Sequence, residues 1–214
     1  MVSDWSVECA ADDPVLVVPY TYETDVRGSA GADFVDLREN PYDLDHLPEA
    51  EAHPALLHAL RALNATRSPV FTAKCDAWTA DGDELARLQF ELDHPAAEQP
   101  FGFASYIDLI WRERSLFASF HQHEQLLHRL VRYAEPLDLP LAALECVLRP
   151  ALVDLTGTHE GFAITVYVRA LGADADSAYR HWEEALEAVS GLIRSKDLSQ
   201  YRPKAAEPVV SSRS

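Results

Sequence analysis

The chain has 214 residues, 48% of them hydrophobic and 25% charged, the proportions of a folded globular protein and not of a disordered or fibrous one. Its 35 acidic against 18 basic side chains leave a formal charge of −17, spread through every segment, which repels phosphate backbones and argues against nucleic acid as a partner. Cys9, Cys75 and Cys146 fit no disulfide framework or zinc-ligand spacing, and neither a leader pattern nor an apolar run of about 18 residues is present, so the expected setting is the cytoplasm with no membrane partner.

Residues 1–50 are rich in Asp, Pro and Gly and read as an irregular N-terminal arm with one short strand at Val15 to Tyr20. Order is expected only from about Pro14, and residues 1–10 are expected to be dispensable. Gly28, Gly31, Pro41 and Pro48 break up the segment from Arg27 onward and predict a long loop. Pro54 suits a first helical turn, and Leu56, Leu57, Leu60 and Leu63 predict a short amphipathic helix that Ser68-Pro69 stops.

Phe71, Ala73, Cys75 and Ala77 alternate with Thr72, Lys74 and Asp76, which predicts a half-buried strand with the first four on one face. Asp81-Gly82 reads as a hairpin turn, after which Leu88, Phe90 and Leu92 alternate with polar residues as a second strand. A third strand follows from Phe103 to Trp111. Leu116, Phe120, His123, Leu127, Leu130 and Ala134 then switch to helical spacing until Pro136. Leu144 to Val153 and Phe162 to Ala170 predict two more strands around a turn at residues 156–161. The last element is a helix with Tyr179, Trp182, Leu186, Val189 and Ile193 on one stripe, capped by Asp174 or Asp176.

The predicted fold is α+β: an antiparallel sheet of about five strands with two or three helices packed on one face, in the order α-βββ-α-ββ-α after the arm. Residues 51–197 form that domain, and residues 198–214 a flexible C-terminal tail. This element order, with the acidity and the terminal amphipathic helix, resembles the type III secretion chaperone-like fold over residues 54–195. No residue motif carries the resemblance. It implies an acidic homodimer that holds an extended segment of a client polypeptide on apolar patches.

Nothing in the chain matches GxGxxG, GxxxxGK[ST], GxSxG or HExxH, and Gly is only 8 of 214, so phosphate loops and nucleophile elbows are not expected. The run HQHEQLLH offers Glu124 and His128 at i, i+4 as the best metal pair. His121 and His128 are seven residues apart, a rise of about 10 Å, too far to share one ion, and His123 falls on the apolar stripe. Asp108, His159, Glu160 and His181 could converge as acid-base groups, although turn and first-turn positions are usually structural. No cofactor is expected.

Strand parity sets Trp78, Tyr106 and Tyr167 on the face turned away from the helices, among residues too apolar for a wet surface and too polar for a second core. They are the candidate binding residues, for a second copy in a homodimer through the open face or edge of the sheet, or for a polypeptide partner. A binding or interaction protein is the preferred reading. A small-molecule or metal-dependent enzyme using His, Glu and Asp is the alternative.

Overall fold

The computed structural model describes residues 1–19, 36–38, 51–95, 97–195 and 198. Among them the chain forms β1 (Val2–Val7), β2 (Leu16–Val18), α1 (Pro54–Asn64), β3 (Val70–Ala80), α2 (Gly82–Glu91), β4 (Phe101–Trp111), α3 (Arg114–Phe117), α4 (Phe120–Ala134), β5 (Ala142–Asp154), β6 (Thr158–Gly172) and α5 (Ala175–Arg194). The fold is α+β, with an open, mostly antiparallel six-stranded sheet ordered β1-β5-β6-β4-β3 and with β2 beside β1 on the same side of β5. The antiparallel core comes from the hairpin β5-β6 and the pairs β4-β6 and β3-β4.

The main core lies between one sheet face and helices α1, α4 and α5. On α5, Trp182, Leu186, Val189 and Ile193 recur at helical spacing and are all buried, and Asp174 caps the helix in a reciprocal pair with Ser177. Gly172 lets β6 run directly into that cap, because a Cβ there would collide with the backbone of Ala178. Pro54 occupies the first turn of α1, where its missing N–H costs nothing, and Leu56, Leu60 and Leu63 turn inward.

Five features differ from the sequence expectations. The segment after Asp81 is a helix, α2, and not the second strand of a hairpin. Leu88 and Leu92, with Leu85 partly buried beside them, satisfy helical spacing as well as alternation, Asp81 is the N-cap residue, and Asp83 and Glu84 suit the positive end of the helix dipole. Phe90, read as an inward strand residue, is 88% exposed. The helices also occupy both faces, since α2 seats Leu88 and Leu92 on Ala143 and Leu171 of the opposite face.

The expected short strand is present as Leu16–Val18, paired with Ala151 to Val153, but the residues before it are not irregular, because Val2–Val7 pairs with β5 from Ala143 to Leu148. Both pairings are parallel, so the sheet is mixed. The register of β3 against β4 shifts by one residue between Thr72 and Cys75, a bulge that sends Phe71 and Ala73 to one face and Cys75 and Ala77 to the other. Finally, the middle helix is broken into α3 and α4, with the Ser119 hydroxyl accepting the Gln122 N–H at the start of α4.

Tyr20, Phe34 and most of the predicted loop after Arg27 lie outside the described residues. So does the predicted tail except Leu198, which is buried in the main core.

Candidate binding face

The sheet face opposite the main core is covered at its two ends. At one end α2 supplies Leu85, Leu88 and Leu92. At the other, a small second core crosses the sheet from Leu16 and Val18 through Ala151, Val153, Ala163 and Ile110 to Phe71, closed by Phe117 of α3. The guanidinium groups of Arg38 and Arg112 lie 5.1 and 5.8 Å from the Phe71 ring centroid. Between the two caps runs a polar and aromatic band with no described helix packed across it.

The sequence-predicted residues Trp78, Tyr106 and Tyr167 fall in this band. Tyr106 and Tyr167 are direct cross-strand partners on β4 and β6, and Trp78 of β3 is the diagonal neighbour of Tyr106. Their ring centroids follow one another at 6.2 and 6.0 Å. The Trp78 indole N–H donates to Glu84 Oε2 at 2.8 Å, so the row is tied at one end to the first turn of α2. Glu145 of β5 stands opposite Tyr167 and continues the line across a fourth strand.

At the Tyr167 end lies a groove of about 360 Å³ bordered by Glu84 and Arg87 of α2, Glu145, Val147, Tyr167 and Arg169 of the sheet, and Glu8 after β1. Arg169, whose side chain is 9% exposed, pairs through Nη2 with Glu145 at 2.9 Å and Glu91 at 3.2 Å. Its Nε is buried without an acceptor, as is that of Arg149, which pairs with Glu8 at 3.0 Å. None of these arginine positions stood out as a site in the sequence. The parity of β6 places Arg169 on the face, but Arg87 and Glu84 needed α2 to be a helix.

Asp108 is 4% exposed in the same band and accepts a hydrogen bond from the Thr165 hydroxyl across the strand pair. Burial holds its carboxyl above the usual range, against the opposing influence of Thr165, Arg149 and Lys74. The acid-base groups considered with it do not converge. His159 lies 3.4 Å from Arg114, whereas His181 Nδ1 hydrogen-bonds Leu171 O at 2.7 Å from α5, on the helix-covered face. Glu160 faces Leu152 in the β5-β6 register, away from Asp108.

The histidines of α4 also separate. Glu124 pairs with His121 at 3.4 Å, and the His128 ring meets Trp5 edge-on at 4.8 Å, so the Glu124 and His128 pair is not assembled. Among the described residues no group of three or more His, Cys, Asp or Glu side chains is arranged to hold a metal ion. His123 is buried with its Nδ1 3.0 Å from Ser119 O, and burial lowers its pKa. Burial pushes the Cys146 thiol far up, which leaves it a packing residue and not a thiolate.

No protein-family model, curated protein or solved structure matches this chain. Among the described residues no helix is long and apolar enough to cross a membrane.

Proposed function

We propose that the protein is a binding protein that receives an extended polypeptide segment across the open face of its sheet, a chaperone-like role in the cytoplasm. The aromatic row of Trp78, Tyr106 and Tyr167 carries this reading. An extended chain places alternate side chains about 6.8 Å apart, which matches the 6.0 and 6.2 Å ring spacings, so a segment laid across the strands meets the rings at every second residue. Aromatic anchors inside a polar rim supply most of the energy of such contacts.

The edges of the sheet are poorer docking sites. On β3 the Thr72 N–H donates to Asn64 Oδ1 at 3.0 Å, Arg112 Nε occupies the Val70 carbonyl at 2.9 Å, and Asp76 takes the Ala77 N–H at 2.7 Å. On β1 the Asp4 carboxylate takes the Trp5 N–H at 2.7 Å. An added strand would have to displace these side chains, the usual device against edge pairing.

The test is a peptide-display selection on the wild-type protein and on a Tyr106→Ala, Tyr167→Ala double variant. Sequences enriched on the first and lost on the second are the expected result. No such sequence would overturn the reading. A second copy of the chain is the competing occupant: a dimer by light scattering at micromolar concentration that dissociates in the double variant would replace the polypeptide with a homodimer contact.

A further inference from the structure

Resting on the polypeptide reading, we infer that the bound segment is basic, with Lys or Arg at the two positions that flank the residues lying over Tyr106 and Tyr167. Strand register sets the flanking chemistry. Asp76 on β3 is the direct partner of Tyr106, Glu145 on β5 is that of Tyr167, and Asp4 on β1 is that of Glu145. One row across the sheet therefore reads Asp76, Tyr106, Tyr167, Glu145, Asp4, and direct partners share a face, so carboxylates stand beyond each end of the tyrosine pair.

Both ends keep negative charge. Asp76 and Asp4 are exposed, and among the described residues neither has an ion pair, each accepting the N–H of the residue after it. Trp78, two residues from Asp76 on the same face of β3, adds an electron-rich ring, so a cation there gains an ion pair and a cation–π contact together. At the other end Arg169 is shared between Glu145 and Glu91, one guanidinium against two carboxylates, and Asp4 adds a third. Arg87 borders the groove beside Tyr167, where Glu84, bound to the neutral Trp78 indole, balances it. The overall charge of −17 acts in the same direction, drawing a basic segment toward the face before the local contacts form. With two residues of extended chain per ring, side chains over Tyr106 and Tyr167 are i and i+2. The cations then fall at i−2, over Asp76 and Trp78, and at i+4, between Glu145 and Asp4.

Capped, identically labelled heptapeptides KSLSLSK, QSLSLSQ and SKLSLKS test this by fluorescence anisotropy. The first carries lysines at i−2 and i+4, and the last moves them by one residue, to the far side of the extended chain, at unchanged composition. KSLSLSK is expected to bind about tenfold more tightly than QSLSLSQ, the scale of two partly exposed charge contacts, and about fivefold more tightly than SKLSLKS. Asp4→Asn combined with Asp76→Asn keeps both acceptors for the backbone N–H groups and is expected to bring KSLSLSK and SKLSLKS within about twofold of each other. Tyr106→Ala is expected to weaken all of them. Equal binding of KSLSLSK and QSLSLSQ, lost on Tyr106→Ala, would overturn the basic preference and leave the polypeptide reading intact. Equal binding of KSLSLSK and SKLSLKS would overturn it as well, because net charge alone would then account for the preference. If no peptide binds, the inference fails, and the display selection alone bears on the polypeptide reading.

Discussion

Trp78 on β3 and Glu84 in the first turn of α2 are joined by an indole N–H to carboxylate hydrogen bond of 2.8 Å, six residues apart in the chain. That contact ties the first turn of α2 to the aromatic row. The far end of the helix is held by Glu91 on Arg169 at 3.2 Å, and Gln89 Nε2 donates to Gln99 O at 2.8 Å.

Loss of the first tie is expected to loosen α2 selectively. Glu84→Ala removes the acceptor from a half-buried indole and should cost about 1 kcal/mol. Hydrogen exchange should accelerate over residues 82–91 and stay unchanged in β4 and β6. Uniform acceleration across the sheet would show that the contact supports the whole fold and not the helix.

Asp108 gives a pH signature. Its folded-state pKa is raised by burial, so the native state binds its proton more tightly than the unfolded chain does, and the ionised carboxylate is a cost that disappears as pH falls. Asp108→Asn keeps an acceptor for the Thr165 hydroxyl and removes the buried charge. The variant is expected to be more stable than wild type at pH 7, with the gap narrowing from the raised pKa down toward the unfolded value of 3.8. Urea melts of both proteins between pH 4 and pH 8 check this, and a gap that widens on acidification would refute the sign.

The antiparallel core was legible in the sequence because β4, β5 and β6 alternate over long runs, and α5 because its stripe and Asp174 cap agree. Parity alone then put Tyr106 and Tyr167 on one face, and the β4-β6 register, which parity does not give, makes them direct partners. The reading failed where two periods fit the same residues. Leu88 and Leu92 suit a strand or a helix, and their contact with Ala143 and Leu171, distant in sequence, adds to the local signals of Asp81, Asp83 and Glu84 in selecting the helix. The bulge after Thr72 has no local signal, since Ala73, Lys74 and Cys75 keep the pattern while the register slips. β1 was missed because its order comes from pairing with β5 and not from its own polar, half-exposed sequence.

The two acid caps on the edges predict a self-association phenotype. Asp4 and Asp76 each accept the N–H of the next residue, at 2.7 Å in both cases. Replacing both with Ala frees one edge donor on each side of the sheet and removes two charges that repel another edge. The double variant is expected to form concentration-dependent oligomers by analytical ultracentrifugation, with little change in melting temperature. A monomer at every concentration would show that the carboxylates do not guard the edges.

Removal of residues 2–7 is expected to be severe, against the dispensability that the composition suggests. β1 covers the outer edge of β5 from Ala143 to Leu148, and it is pinned to α4 by more than backbone pairing. The Met1 amine donates to Leu137 O at 2.7 Å, Ser3 Oγ donates to Val131 O at 3.2 Å, and the Trp5 ring packs edge-on against His128 at 4.8 Å. Deletion would uncover an edge of a thirteen-residue strand and the flank of α4 together, a template for aggregation. The milder Trp5→Ala separates packing from edge exposure: it leaves the ladder intact and removes a partly buried ring, a loss of about 2 kcal/mol. Chemical denaturation should therefore show Trp5→Ala folded and weakened, and the deletion insoluble. A soluble deletion protein with wild-type stability would mean that β1 lies against β5 without contributing to it.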